Sequence, residues 1–212
     1  MKEKLYTIGY MIAVAAVFTS GVTAAKLATE EQVRLNEEAR FQAVVLRVLG
    51  LEGGAPLSPA EVKALFARRI EKKTVDGLTV YCGYADDEQT QLVGYAFPVG
   101  GMGLWSKIEG MLALNKALDT VIGIDFTKQS ETPGLGGRIT EPWFRDQFKG
   151  KTIGARDDTG RYLRFMAQDK ALTVNEVHGI TGATMTTDGL DAFLNRDIER
   201  IRKAMGKAGD RE

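Results

Sequence analysis

Four threonines lie within seven residues in the segment Thr181-Gly182-Ala183-Thr184-Met185-Thr186-Thr187. The segment stands between a strand-like run that ends at Val177 and an amphipathic stretch that begins near Asp188. A turn leading into a helix offers unpaired N–H groups and the positive end of the helix dipole, both of which attract an anion. The threonine hydroxyls add donors, and Gly182 with Ala183 lets a bulky group approach the backbone. These residue types at this spacing suit a phosphate. They equally suit a structural helix cap, because threonine and glycine gather at helix N-termini for that reason alone.

Two glycine-rich segments have matching properties. In Ser130-Glu131-Thr132-Pro133-Gly134-Leu135-Gly136-Gly137 the Pro-Gly pair fixes a turn, and two further glycines allow a flat ligand close to the main chain. Thr132 and backbone amides can donate to ligand oxygens, and Leu135 can cover a ring face. Alone, the string also reads as a surface turn capped by Glu131. In Gly101-Met-Gly-Leu104-Trp105-Ser106-Lys107 the indole either packs near such a ring or is an ordinary core tryptophan. Other chemistries are nearly excluded. There is one cysteine, Cys82, and one histidine, His178, too few for a zinc or haem site with several such ligands. Cys82, within a strand-like run, reads as a buried inert thiol, and Asp86-Asp87-Glu88 as a solvated turn. Positive and negative residues balance at 28 each, which argues against a nucleic-acid partner. Any redox chemistry must come from an organic cofactor.

The run His178-Gly-Ile-Thr-Gly-Ala-Thr184-Met-Thr resembles the flavinylation motif of a family of FMN-binding subunits, those of the sodium-translocating NADH:quinone oxidoreductase and of the related Rnf complex. The loop Glu131-Thr-Pro-Gly-Leu-Gly136 is similar to that family's E-T-P-G-L-G. The Leu104-Trp105-Ser106 stretch resembles the sodium-pump subunit more than the Rnf subunit. The resemblance covers about residues 5 to 205 and implies FMN esterified through its phosphate to Thr184 by a flavin transferase. It further implies a cofactor site of Thr181, Gly182, Ala183 and Thr186, of Glu131, Thr132, Gly134, Leu135 and Gly136, and of Leu104, Trp105 and Ser106. One position departs: His178 stands six residues before Thr184, where the family usually has Asp, which would add a titrating group near the phosphate.

These segments need elements to carry them. Leu5 to Ala25 is 21 residues without a charge, enough for a helix of about 30 Å, the thickness of the bilayer hydrocarbon. Lys2 and Lys4 precede it, so the positive-inside rule keeps the N-terminus cytoplasmic and exports the rest. A cleaved signal peptide is the other reading of the small residues Thr23-Ala24-Ala25, but the run is longer than a usual signal core. Residues 27 to 49 continue as a helix with Val33, Phe41, Val44, Val45, Val48 and Leu49 at near-helical spacing, ended by Gly50, Gly53 and Gly54. Ser58-Pro59-Ala60-Glu61 starts another helix, to about Ile70. Strands are expected at Leu78–Tyr84, Leu92–Phe97, Met111–Leu114, Thr120–Phe126 and Leu172–Val177. The glycine-rich stretch from Pro98 to Gly103 is expected to be a loop, Pro142–Phe148 a short helix, and the stretch from near Asp188 a final helix with an apolar stripe from Leu190 to Met205.

The expected class is therefore α+β. One N-terminal transmembrane helix (1–26) leads to a single extracytoplasmic FMN-binding domain (27–205) with a mainly antiparallel sheet and packed helices, then a polar tail (206–212). FMN is expected in a groove among the loops at 101–107, 130–137 and 179–187. Through the resemblance, the function would be electron relay with the other membrane subunits of a redox-driven ion pump, in a bacterial inner (cell) membrane. Two alternatives fit the same residues: a standalone anchored flavoprotein of a respiratory or extracellular electron-transfer chain, and a flavin-free structural subunit.

Overall fold

A computed structural model describes residues 2–53 and 56–209. Helix α1 spans Lys2–Val48. Its part up to Arg40 forms a unit by itself. It contains the uncharged run, is long and apolar enough to cross a membrane, and leaves Ile8, Met11, Ile12, Val17 and Phe18 exposed. Val33, expected on a packed face, is exposed as well.

The second unit begins at Phe41. Its centre is an antiparallel meander of five strands in sequential order. These are β1 (Ile70–Val75), β2 (Leu78–Tyr84), β3 (Leu92–Met102), β4 (Lys107–Asn115) and β5 (Val121–Lys128). The sheet is buried on both faces, and period-2 alternation sorts its side chains between two cores. Val80, Cys82, Phe97, Val99, Leu112, Leu114 and Ile124 point to one core, shared with Phe144, Phe148, Leu190, Phe193, Leu194 and Ile198. Tyr81, Ala96, Met111 and Ala113 point to the other, shared with Val45, Leu46 and Val48 from the end of α1, with Leu49 just after it, and with Val62 of α2 (Pro59–Arg69). Burial on both faces explains why Met111-Leu-Ala-Leu114 reads as an unbroken apolar run. The capping box is present: the Glu61 amide donates to Ser58 Oγ, and the Ser58 amide donates to the Glu61 carboxylate. Beyond the sheet follow a 3-10 turn (Gly136–Thr140), α3 (Pro142–Asp146), a short parallel pair β6 (Arg164–Met166) and β7 (Glu176–His178), and α4 (Thr184–Gly209).

Several expectations are corrected. β3 does not stop at Phe97 but runs through Pro98, Gly100 and Gly101 to Met102. Its pairing with β2 ends at Ala96, so Pro98 faces β4 only and its missing N–H costs no ladder bond on the open side. β1 was hidden because Glu71-Lys72-Lys73 looks polar; it is an edge strand, where lysines discourage further pairing. The strand expected at 172–177 shrinks to Glu176–His178, and its partner β6 was not foreseen. α4 starts at Thr184 rather than near Asp188, and it continues past 205 to Gly209. Residues 210–212 of the expected tail and Gly54 lie outside the described residues. In α3, Phe144 is buried and Trp143 beside it is half-buried, packed against the same core.

α4 lies against the glycine-rich half of β3. A Cβ on Gly101 would fall on the Cβ of Phe193, and one on Gly189 would meet the Met102 carbonyl. Gly101→Ala is therefore expected to cost about 1–3 kcal/mol by overpacking. Denaturant unfolding measures it, and an unchanged midpoint would mean that α4 does not press on this strand.

Candidate functional site

The three segments singled out in the sequence meet at one end of α4. Gly103 N–H donates to the Ser106 carbonyl at 2.9 Å, closing the β3–β4 hairpin with Leu104 and Trp105 at its tip. The Leu135 amide donates to the Thr132 carbonyl at 3.1 Å around Pro133-Gly134, and Gly134 takes the positive φ (75°) that such a turn needs. The Ala183 amide donates to the Ile180 carbonyl at 3.0 Å, with Gly182 at φ 80°. A side chain on Gly182 would stand 3.2 Å from Leu135 Cδ2, which places the second and third segments side by side.

Glu131 joins all three. It is 4% exposed. Its Oε1 accepts the Trp105 amide at 3.0 Å; its Oε2 accepts the Leu104 amide at 3.2 Å and the Thr186 hydroxyl at 2.5 Å. Burial works to protonate this carboxyl, but Thr186 and the amides of Trp105, Leu104 and Ser106 outweigh it and hold it below the ordinary glutamate value. Trp105 is not a core residue: it is 68% exposed, and its indole N–H donates to Thr132 Oγ1 at 3.2 Å. Beyond α1, six large apolar side chains among the described residues are exposed. Five of them, Met102, Leu104, Trp105, Leu135 and Met185, belong to these three segments, and Val174 is the sixth. Such a patch marks a surface made to be covered.

The four threonines separate by what their hydroxyls do. Thr186 donates to Glu131, and Thr187 donates to the Ala183 carbonyl at 3.0 Å. Thr181 and Thr184 are exposed, and among the described residues their hydroxyls make no hydrogen bond. Thr184 is also the first residue of α4, where the amides of Thr184, Met185 and Thr186 have no partner one turn back within the helix. Ala183 is buried behind it, Gly136 is buried beside Thr186, and Ser106 is half-buried below the hairpin tip.

Beside Thr184 opens a cleft of ≈ 460 Å³, within the range of ligand pockets. Thr181, Gly182, Thr184, Thr187, Asp188 and Asp191 line it from α4 and the turn before it, together with Arg161, Phe165, Met166 and Gln168. Arg161 pairs with Asp191 at 3.3 Å. Burial raises the Asp191 carboxyl, opposed by Arg161 and assisted by Asp188 and Asp157. The 161–168 side was missed in the sequence. Arg164-Phe165-Met166 has no pattern of its own, but Thr184, Thr187, Asp188 and Asp191 share one helical face once α4 is known to start at Thr184. His178 is not among the lining residues. Its Nε2 lies 2.8 Å from the Lys170 carbonyl, which can only accept, so that nitrogen donates there.

The site fits a phosphate-bearing flat ligand: an exposed hydroxyl at a helix N-terminus, a cleft, and exposed apolar side chains in the same three segments. Family comparison gives the class. Residues 103–199, which contain the second and third segments and the first from Gly103 on, match the FMN-binding domain family. The NqrC subunit of the Na(+)-translocating NADH-quinone reductase of Pseudomonas aeruginosa is 31% identical over 86% of this chain and 85% of its own. The chain belongs to that NqrC family. The Chlamydia pneumoniae relative is 36% identical over 51% of this chain, an alignment that spans only 39% of the relative. Among solved structures, the same subunit from Parabacteroides distasonis superposes with a TM-score of 0.65 at 25% identity, covering 79% of this chain and 92% of that one. The expected family and the α+β class with an antiparallel sheet are borne out.

Proposed function

We propose that this chain is an electron-relay subunit that carries FMN as a phosphoester on Thr184, within a membrane complex that oxidises NADH, reduces quinone and moves sodium ions. The observation that carries the reading is the free, exposed Thr184 hydroxyl at the start of α4, next to a cleft and an apolar rim. In maturation the Thr184 oxygen attacks the FMN-side phosphorus of FAD. The phosphoanhydride bond breaks, AMP leaves, and the hydroxyl proton passes to solvent, with a flavin transferase as catalyst. The first-turn amides and the α4 dipole stabilise the phosphate charge. The exposed Leu104, Trp105, Leu135 and Met185 would cover the ring system from water, and Thr132, which accepts the Trp105 indole N–H, would offer a hydroxyl to it. When bound, the flavin supplies one- and two-electron redox chemistry. The likeness to the sodium-pump subunit favours the quinone reductase over a ferredoxin-linked complex or a standalone chain.

In the same reading α1 crosses the cell membrane once. Lys2 and Lys4 lie on the cytoplasmic side, and the second unit lies outside. Covalent attachment keeps the cofactor in a compartment that supplies none. The intact mass of the protein purified from its native membrane tests the proposal. A gain equal to FMN less one water is expected, mapping to the peptide that holds Thr184. An unmodified mass removes the covalent claim, and a yellow protein that loses its colour on denaturation would show FMN held without a bond.

A further inference from the structure

The geometry points to Glu131 as a positioning residue that sets Thr184 for flavin attachment without touching the flavin; this rests on the Thr184 reading above. Both carboxylate oxygens are consumed by protein donors, and the side chain is buried. It has no face left for a ligand. What it holds is informative. The first turn of a helix lacks the backbone bonds that fix later turns, so its geometry depends on side-chain anchors. In α4 that anchor is the Thr186 hydroxyl, two residues after the acceptor, on Glu131 Oε2. The same carboxylate pins the Leu104 and Trp105 amides, and so fixes the hairpin tip that forms the apolar rim. One buried charge therefore sets the acceptor hydroxyl and the rim relative to each other.

The surrounding glycines are consistent with this assignment. A Cβ on Gly103 would stand 2.6 Å from Glu131 Oε1, and one on Gly136 would stand 2.9 Å from Oε2 and collide with Thr186 Oγ1. Neither φ is positive, so these two positions are small to admit the carboxylate rather than to turn the chain. Transfer to a hydroxyl demands close alignment, and a displacement of about 1 Å can cost on the order of a hundredfold in rate.

The test is flavinylation of the full-length apoprotein by the transferase with FAD. Thr186→Val removes the donor while keeping the shape. It is expected to lower kcat by about tenfold or more with KM for FAD unchanged, and Thr186→Ser is expected to restore it. Glu131→Gln sets an amide NH2 against the Trp105 N–H or the Leu104 N–H, and should slow transfer in the same way. Because it leaves all four threonines intact, its effect separates positioning from Thr186 being an acceptor itself. Wild-type rates in both Glu131→Gln and Thr186→Val overturn the positioning role alone, as does failure of Thr186→Ser to outperform Thr186→Val. Absence of any FMN on the wild-type protein overturns the Thr184 reading and this one with it.

Discussion

Thr184→Ala is expected to remove the covalent flavin completely, whereas Thr181→Ala should leave it in place. The prediction follows from the state of the hydroxyls. Thr186 and Thr187 have theirs committed to Glu131 Oε2 and to the Ala183 carbonyl, so a phosphoester on either would first break an internal bond. Thr181 and Thr184 are both exposed, but only Thr184 sits on the helix end, where first-turn amides would meet a phosphate. Thr181 lies in the turn from Ile180 to Ala183, outside the helix. Thr184→Ser keeps an oxygen at the same position and should still accept FMN, more slowly, because loss of the γ-methyl frees the χ1 rotor that threonine restricts. Flavin fluorescence of the denatured band, together with intact mass, reads all three variants. Flavin persisting in Thr184→Ala, or lost in Thr181→Ala, would move the acceptor.

How far the sequence disclosed this site depends on which physical signal each residue carries. Pro133-Gly134 and Gly182 announce turns through backbone conformations that few other residues adopt, and both turns are present. The stripe from Leu190 to Ile201 announced a buried helix face, and those side chains are in the core. Where α4 begins was not legible, because Thr184 to Thr187 carries no apolar period and threonine is indifferent between cap and helix. The shift matters, since it turns Thr184 from a loop residue into the first residue of the helix. Trp105 shows the opposite failure. Large aromatics are usually packed, so a core position was an even reading, yet the hairpin tip holds it out to solvent. Glu131 was expected to bind the cofactor. Only the structure reveals that its donors come from the chain itself, through contacts 26 and 55 positions apart in sequence that no local pattern encodes.

Asp125→Ala is expected to destabilise the second unit by about 3 kcal/mol. Asp125 lies on β5 and is 3% exposed. Its Oδ2 pairs with Arg47 at 2.9 Å and with Arg145 of α3, and its Oδ1 accepts the Phe126 amide at 2.8 Å. Alanine would leave Arg145, whose side chain is only 19% exposed, without a counter-charge. The Nε of that guanidinium is already buried and without a hydrogen-bond partner, so the loss of Asp125 would deepen an existing deficit. Removing one member of a buried pair costs about 3–5 kcal/mol, mostly the penalty on the charge left behind. Arg47 differs: its side chain is 46% exposed and also pairs with Glu52, so Arg47→Ala should cost no more than about 1 kcal/mol. For a unit of this size the Asp125 change corresponds to a melting point lower by roughly 6–12 °C. Thermal unfolding of the full chain in detergent compares the two variants. Arg47 lies on the last turn of α1 and Asp125 on β5, so within the second unit this contact ties the end of that helix to the sheet. Equal, small losses in both variants would show instead that the carboxylate is solvated and that packing of Val45, Leu46 and Val48 holds the helix end on the sheet.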